Sequence, residues 1–300
     1  MRKVIVEIAG GMGNQFFQYA FGLAKSKQMR AELWLDASQY SGSSNHTGYE
    51  LGEVHPAGKT LLTSSKKKFK RRERWRRRIN QLSFGLLCRQ AQQVVEKYSG
   101  YSLAAAESRA AYYVGYWQSP LYFEDCSREV RDALGGFLDR KAALSEDYLQ
   151  GIAEAQSVAL HIRRGDFYAS SSSQALHGLD LSHYYRAAID QITAGREQDF
   201  TFYVFSDDPD PLSYFPYLSL SNVILCSSAL DDPYTDMYLM SKANQLVIAN
   251  SSYSWWGAYL NTDGRIYAPD RWYVDTVIDL AKFFPGHWTM IPSSPASNTL

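Results

Sequence analysis

Two adjacent arginines, Arg163 and Arg164, follow the run at 157–162, whose composition is typical of a buried strand. Ligands of open α/β sheets bind outside the carboxyl ends of the strands, which is where this pair is expected. A guanidinium group stays charged and binds two phosphate oxygens with its planar fork. Gly165, which permits a sharp turn, and Asp166 complete the segment. It predicts a diphosphate site, with a pair of surface salt bridges as the alternative.

The second candidate segment is the glycine-rich turn at 10–15, which contains Gly11 and Gly13 and precedes a predicted helix. The free N–H groups of a helix N-terminus bind anions. The turn is not a dinucleotide fingerprint, because Phe16 stands where a third glycine is needed. It is not a P-loop either, because no Gly-Lys-Ser/Thr follows.

The third segment, at 200–208, is a predicted strand that ends in Ser206 and Asp207. A carboxylate at a strand end can accept hydrogen bonds from the two neighbouring N–H donors of a guanine edge. Together with Asp210 it could instead bind a divalent cation through oxygen ligands. The third interpretation is local capping before Pro209.

The fourth segment, at 250–257, is rich in serine and tryptophan and begins a predicted helix directly after a strand. The hydroxyl groups of Ser251, Ser252 and Ser254, with the free N–H groups of the helix end, suit a phosphate. Ordinary capping of a helix that carries buried tryptophans is the alternative. Four such segments in one chain favour a ligand site over four separate structural features.

The elements that must position these segments alternate between strand and helix. The predicted elements of the first half begin with a strand at 4–9, a helix at 16–27, a strand at 31–35, a loop at 38–60 and a helix at 66–98. The alternation restarts at 157, and its last predicted strand covers 266–268. This pattern predicts the α/β class with mostly parallel sheets, in two domains at 1–153 and 154–300.

Composition and cysteine content limit the class of protein. Of 300 residues, 45% are hydrophobic, and no run approaches the roughly 18 apolar residues of a membrane span. The three cysteines, Cys88, Cys126 and Cys226, are widely spaced, which argues against a disulfide framework or a zinc site and fits a reducing compartment. The first apolar stretch is too short for a signal peptide. We therefore expect a cytoplasmic protein.

Three of these segments resemble the bacterial α-1,2-fucosyltransferases of glycosyltransferase family eleven. They are the turn and helix start at 10–19, the His-Ile-Arg-Arg-Gly-Asp element at 161–166, and the block at 251–257 after Asp-Met-Tyr-Leu-Met at 236–240. Their order and spacing extend over most of the chain. The second element also resembles one shared by α-1,6- and protein O-fucosyltransferases, so it indicates fucosyl transfer more strongly than it indicates linkage.

The resemblance implies a GT-B architecture, in which two Rossmann-like domains face each other across a cleft. It implies a galactoside 2-α-L-fucosyltransferase that moves L-fucose from GDP-β-L-fucose to the 2-hydroxyl of a galactose, in an O-antigen or similar glycan. Transfer would invert the anomeric carbon and need neither a metal nor a cofactor. A fucosyltransferase of another linkage, such as α-1,6, is the alternative.

The same resemblance implies roles for single residues. Without a metal, the charge that develops on the β-phosphate must be met by cations and N–H donors, with Arg163 as the main catalytic candidate. Asp207 would read guanine, and Asn14 would face the fucose or the phosphate and take part in catalysis. The donor-binding residues would be Gly11, Gly13, Asn14, His161, Arg163, Arg164, Ser206, Asp207, Ser251, Ser252 and Ser254.

An inverting displacement also needs a group that accepts the proton of the acceptor hydroxyl. Asp166 is the first choice because it adjoins the arginines, and His161 and His177 are the alternatives. The acceptor, which could be lipid-linked, is expected on the N-terminal half, with Trp117, Gln118 and His177 as contacts.

The charge of the chain is unevenly distributed. Residues 66–78 contain ten basic residues and one acidic residue, which leaves 21 basic against 30 acidic residues elsewhere at zero net charge. Repulsion disfavours a solvated helix at this density. The run predicts a disordered loop or attraction to the anionic inner face of a membrane. Nucleic-acid binding, suggested by Phe69 and Trp75, is the alternative of a different class, and the acidic body argues against it.

Overall fold

A computed structural model describes most of the chain. The described residues are 2–41, 48–54, 59–61, 93–96, 100–142, 146–164, 178–208, 210–214, 222–226, 232–276 and 278–295. Gly165, Asp166, His177 and the basic run at 66–78 lie outside them. The chain divides into two compact units, Met1–Leu134 and Gly135–Leu300.

The first unit contains a sheet in which every described pair of neighbouring strands is parallel, in the order β3-β2-β1-β5-β4. Its strands are β1 (Lys3–Glu7), β2 (Glu32–Asp36), β3 (Lys59–Leu61), β4 (Gln93–Val95) and β5 (Tyr112–Val114). The helices among its described residues include α1 (Met12–Met29) and α2 (Leu103–Glu107). The central strand β1 is buried from Val4 onward, as expected for β-branched residues in a parallel sheet covered on both faces.

The second unit contains another parallel sheet, in the order β11-β10-β9-β6-β7-β8. Its strands are β6 (Ser157–Ile162), β7 (Thr201–Ser206), β8 (Val223–Leu225), β9 (Gln245–Val247), β10 (Arg265–Pro269) and β11 (Thr289–Ile291). Helix α3 (Ser127–Lys141) spans the division between the two units. The α-helices described after it are α4 (Glu146–Ala153), α5 (Ser182–Thr193), α6 (Pro233–Met240), α7 (Ser252–Leu260) and α8 (Leu280–Phe283). Every residue of β6 is buried, which makes it the centre of this core.

The α/β class and the parallel sheets are confirmed, and three element predictions are wrong. The loop predicted at 38–60 ends in β3. β4 occupies 93–95 of the helix predicted at 66–98, of which 66–92 and 97–98 lie outside the described residues. The strand predicted last, at 266–268, is followed by β11. These are three-residue strands at or next to a sheet edge, too short to show a period-two pattern.

The domain boundary after residue 153 stays a prediction. The two compact units divide at 134/135 instead, but either position leaves all strands of one sheet on the same side. Within the described part of the chain, no helix is long and apolar enough to cross a membrane. Cys126 and Cys226 are free and buried.

Candidate active site

The candidate donor site lies at the carboxyl edge of the second sheet. β6 lies between β7 and β9, so the loops that follow these three strands adjoin. Ile162 pairs with Ser206 in the parallel register, so the two strands end at the same level. The residues that come next, Arg163 and Asp207, therefore meet at the edge where open parallel sheets bind ligands.

Asp207 binds both arginines of the predicted diphosphate site. Nε of Arg163 lies 3.0 Å from Oδ2 of Asp207, and the backbone N–H of Arg164 donates to Oδ1 over 2.8 Å. The Arg164 side chain lies 3.8 Å from Asp208, whose backbone N–H donates to the hydroxyl of Ser206. Asp207 thus orients the arginines, and its predicted contact with guanine stays untested.

His161 is packed inside the sheet. It is 3% exposed, and burial, followed by the charge of Arg163, lowers its pKa to about 3 against the opposing effect of Asp207. The imidazole is therefore neutral, and its Nδ1 has no hydrogen-bond partner among the described residues. The imidazole packs against the ring of Tyr253, with the ring centroids 5.5 Å apart. Because the ring is enclosed, His161 has a packing role in the structure and its side chain is not exposed to a substrate.

The three predicted serines occupy different positions at the start of α7. Ser251 is the N-cap and accepts a hydrogen bond from the backbone N–H of Tyr253 over 3.3 Å. Ser254 is fully buried and donates to the carbonyl of Ser251 over 3.4 Å. Ser252 is partly exposed, so its hydroxyl and the N–H groups of the helix end are the ones accessible to an anion.

The arginine segment and α7 belong to one cluster, which also contains Asp236 of α6. Burial raises the pKa of Tyr253 well above its ordinary value; the charge of Asp236 adds to this and that of Arg163 opposes it. Asp236 is itself 7% exposed and raises the pKa of Cys226, after burial. Asp236 begins the motif at 236–240, and its place beside the arginine segment could not be predicted from sequence.

In the first unit, the glycine turn is held by hydrogen bonds to Gly10. Its carbonyl accepts from Nε2 of Gln15 over 3.1 Å and from the Tyr40 hydroxyl over 2.6 Å. Gly10 has a φ of +80°, and a Cβ there would lie 2.7 Å from Nδ2 of Asn14, so only glycine fits. Gly11 is the N-cap of α1 without a side-chain cap, which leaves N–H groups at the helix end.

The loop after β5 is tied to this turn at two points. Gln18 donates to the carbonyl of Gly115 over 3.0 Å and accepts from the backbone N–H of Ala9 over 3.0 Å. Nε2 of Gln118 donates to Oδ1 of Asn14 over 2.7 Å. The amide oxygen of Asn14 is therefore engaged within the unit, and the Nδ2 donors are the groups it can offer to a ligand.

Trp117 and Gln118, the predicted acceptor contacts, are both buried. Trp117 is 0% exposed and its ring stacks on Phe21 with centroids 4.2 Å apart. An enclosed ring has no surface for an acceptor, so this position packs the core in the structure. The neighbouring Tyr116 is 46% exposed and is the aromatic group of this loop that a glycan could reach.

Other predicted residues are placed less directly. Gly13 is buried within α1. Gly165, Asp166 and His177 lie outside the described residues, so their predicted contacts stay predictions. No group of three or more metal-ligating side chains that could hold an ion occurs in the part of the chain that is described.

Two parallel sheets that bear polar loops at their carboxyl edges define an α/β protein of the kind that binds its ligand at that edge. The model of glycosyl transferase family 11 matches residues 63–291, so the chain belongs to that family. An α-1,2-colitosyltransferase of Escherichia coli is 32% identical over 97% of this chain and 99% of its own length. The O-antigen biosynthesis glycosyltransferase WbnK, also of Escherichia coli, is 29% identical over 89% of this chain and 93% of its own.

Among solved structures, the fucosyltransferase NodZ from Bradyrhizobium is similar at a TM-score of 0.47 and 14% identity. The alignment covers 89% of this chain and 94% of that chain. The recognition of family eleven from three sequence segments is thus confirmed by the family match, and the chain is a glycosyltransferase.

Proposed function

We propose that the chain transfers L-fucose from GDP-β-L-fucose to the 2-hydroxyl of a galactose in an O-antigen-like glycan, with inversion. The observation that carries the proposal is the pair Arg163 and Arg164, oriented by Asp207 at the carboxyl edge of a family 11 sheet. A planar, permanently charged fork at this edge suits a diphosphate leaving group.

In this reaction the bond between the anomeric carbon and the β-phosphate oxygen breaks, and GDP leaves with the electron pair. Arg163 meets the charge that develops on that phosphate, with Ser252 and the N–H groups of α7 beside it. The acceptor oxygen bonds to the opposite face of the anomeric carbon as its proton leaves. Each contribution is one of preorganised charge rather than of covalent chemistry with the protein.

Transfer without a metal is part of the proposal. Asp207 and Asp208 are paired with Arg163 and Arg164, whereas a cation at the Asp207–Asp210 segment would need their oxygens. We therefore expect EDTA to leave the rate unchanged.

L-Colitose, which is L-fucose without its 3-hydroxyl group, is the second candidate for the transferred sugar. It is supported by the 32% identity to an α-1,2-colitosyltransferase over nearly the whole chain. The two sugars share the anomeric centre and the 6-deoxy group, so the same arginine site serves either one. An enzyme that selects one of these two sugars must distinguish them by the 3-hydroxyl group alone.

The test incubates the protein with GDP-L-fucose or GDP-L-colitose and a panel of β-galactosides, with and without EDTA. NMR of the product then gives the linkage. The proposal expects an α-1,2 product at equal rates with and without EDTA. Transfer only from the colitosyl donor selects the second candidate, whereas an α-1,6 product or full loss in EDTA contradicts the mechanism.

A further inference from the structure

Glu96 follows β4 at the carboxyl edge of the first sheet and had no role in the sequence analysis. Its backbone N–H donates to the carbonyl of Val114 over 2.8 Å, so it stands beside the end of β5. The glycine turn after β1 and the loop after β5 form the same edge, because β1 and β5 are adjacent. Glu96 therefore lies where a parallel sheet binds its ligand.

The loop after β5 is shaped to admit the Glu96 side chain. A Cβ on Gly115 would lie 2.4 Å from Cβ of Glu96 and 2.7 Å from its Oε2, so no larger residue fits there without displacing the carboxylate. Trp117 has a φ of +58°, a left-handed conformation that is costly for a bulky residue. The backbone thus bends around this carboxylate at a conformational cost.

The hydrogen bonds of Glu96 hold its carboxylate in place and leave acceptor capacity. Oε2 accepts from the N–H of Tyr116 over 2.6 Å, and both oxygens lie 3.2 Å from the N–H nitrogen of Trp117. A carboxylate offers about four lone-pair sites, so two N–H donors do not saturate it. No cation pairs with it among the described residues, and the group is only partly buried.

The surface beside Glu96 suits a sugar. Tyr116, whose backbone N–H binds Glu96, is 46% exposed. The Tyr40 hydroxyl binds the carbonyl of Gly10 in the glycine turn, and the rings of Tyr40 and Tyr49 lie 6.1 Å apart. An aromatic face next to a carboxylate accepts the C–H groups of a glycan while the carboxylate accepts its O–H groups.

We infer that Glu96 is the general base of the transfer. Its carboxylate receives the proton of the acceptor hydroxyl while that oxygen bonds to the anomeric carbon and GDP leaves with the electron pair of the broken bond. The inference rests on the proposed function.

The electrostatic surroundings agree with this role. Burial raises the pKa of the Glu96 carboxyl, and the N–H groups of Tyr116 and Trp117 oppose the shift; a base is more effective when its pKa lies nearer the working pH. Among the described residues at 115–122, the titratable side chains are the phenols of Tyr116 and Tyr122, and Lys97 and Tyr98 lie outside the described residues. Burial raises the pKa of Tyr122 to about 12, so it does not titrate with Glu96.

The deciding variant is Glu96→Gln. A glutamine oxygen accepts the same backbone N–H bonds but cannot take a proton, so it separates catalysis from support of the loop. We expect kcat to fall by about 10²-fold or more, with the Kd of GDP and the unfolding midpoint unchanged. The acidic limb of the wild-type pH profile of kcat should disappear in the variant. Tyr116→Ala should instead raise the acceptor KM and keep that limb.

Two comparisons decide against the inference. If Glu96→Gln keeps more than about a tenth of kcat, or keeps the acidic limb, Glu96 is not the base. If Asp166→Asn loses turnover and the acidic limb of the pH profile while Glu96→Gln keeps the two properties, Asp166 is the base. Wild-type protein that transfers nothing from either GDP-sugar contradicts the proposed function itself, which is a separate outcome.

Discussion

Arg163 is bound through Nε, which lies 3.0 Å from Oδ2 of Asp207. A lysine ammonium is a single point charge and cannot contact Asp207 while also matching two phosphate oxygens. We therefore expect Arg163→Lys to lower turnover by about 10² to 10³-fold although the charge is kept. A GDP-release assay measures this, and retention of more than about a tenth of wild-type turnover contradicts it.

The matched control for that substitution is Arg186→Lys on α5. Arg186 pairs with Asp190 one helical turn away, and its side chain is 43% exposed. Exposed pairs of this kind contribute about 0 to 1 kcal/mol. The control should therefore keep wild-type turnover and stability, which would show that loss in Arg163→Lys arises from the site.

The thiols of Cys126 and Cys226 give a second prediction for single residues. Burial raises their pKa to about 11 and about 12. In a Cys88→Ser variant, a thiol reagent at pH 8 should label neither cysteine in the folded protein and both in urea. Because folding raises these pKa values, their contribution to stability is present below about pH 9 and is lost as the pH rises toward 11. Rapid labelling of the folded protein would contradict the prediction.

At the scale of elements, α7 carries Ser252 and Ser254 of the candidate donor site and packs closely on α6. A Cβ on Gly257 would lie 2.9 Å from Cβ of Met240, so Gly257→Ala must separate the helices. Overpacking of this kind costs about 1–3 kcal/mol. We expect a lower unfolding midpoint in urea and weaker binding of GDP, because Ser252 moves with the helix.

Gly135→Ala on α3 is the matched control for this substitution. A Cβ there meets nothing within 4 Å, and alanine favours a helix over glycine by about 0.5–1 kcal/mol. The same chemical change should therefore raise the unfolding midpoint at one helix and lower it at the other. Equal shifts in both variants would show that helix propensity, and not the contact between α6 and α7, decides the result.

An element is easier to predict from sequence when its residues are buried to the same degree along its whole length. β6 is buried at all six positions, so its apolar run is continuous and ends clearly before Arg163. β4 and β11 have three residues each and lie at sheet edges, where local pattern carries little information. Glu96 was hidden by the same limit, because it adjoins β4 inside a predicted helix.

The sequence indicates which residues form the candidate site more readily than which of them contact one another. Arg163 and Asp207 each follow a recognisable strand, and both were predicted as donor residues. Their mutual contact depends on β6 and β7 being neighbours in register, which is a property of strand order. The burial of Trp117 also depends on packing, since nothing in the loop sequence distinguishes it from exposed Tyr116.

At the scale of the whole molecule, the two units use the same design for different tasks. Each has a parallel sheet whose carboxyl edge bears the polar loops, as open sheets require. The second edge has arginines and helix N–H groups, which suit an anionic donor. The first has a carboxylate and an exposed tyrosine, which suit an uncharged glycan. The two edges therefore differ in the charge of their side chains.

Charge is also segregated along the chain, because 66–78 holds ten of the 31 basic residues. This run lies outside the described residues, so the prediction rests on sequence. We expect the protein to cosediment with vesicles that contain anionic lipid, with an attraction of about 1 kcal/mol per basic residue near the surface.

Replacing Lys66, Lys67, Lys68 and Lys70 by glutamine should weaken the binding to these vesicles. Since screening shortens the Debye length from about 10 Å at 0.1 M to about 3 Å at 1 M, salt should abolish binding. Equal binding to neutral vesicles, or binding that persists in salt, contradicts an electrostatic attachment.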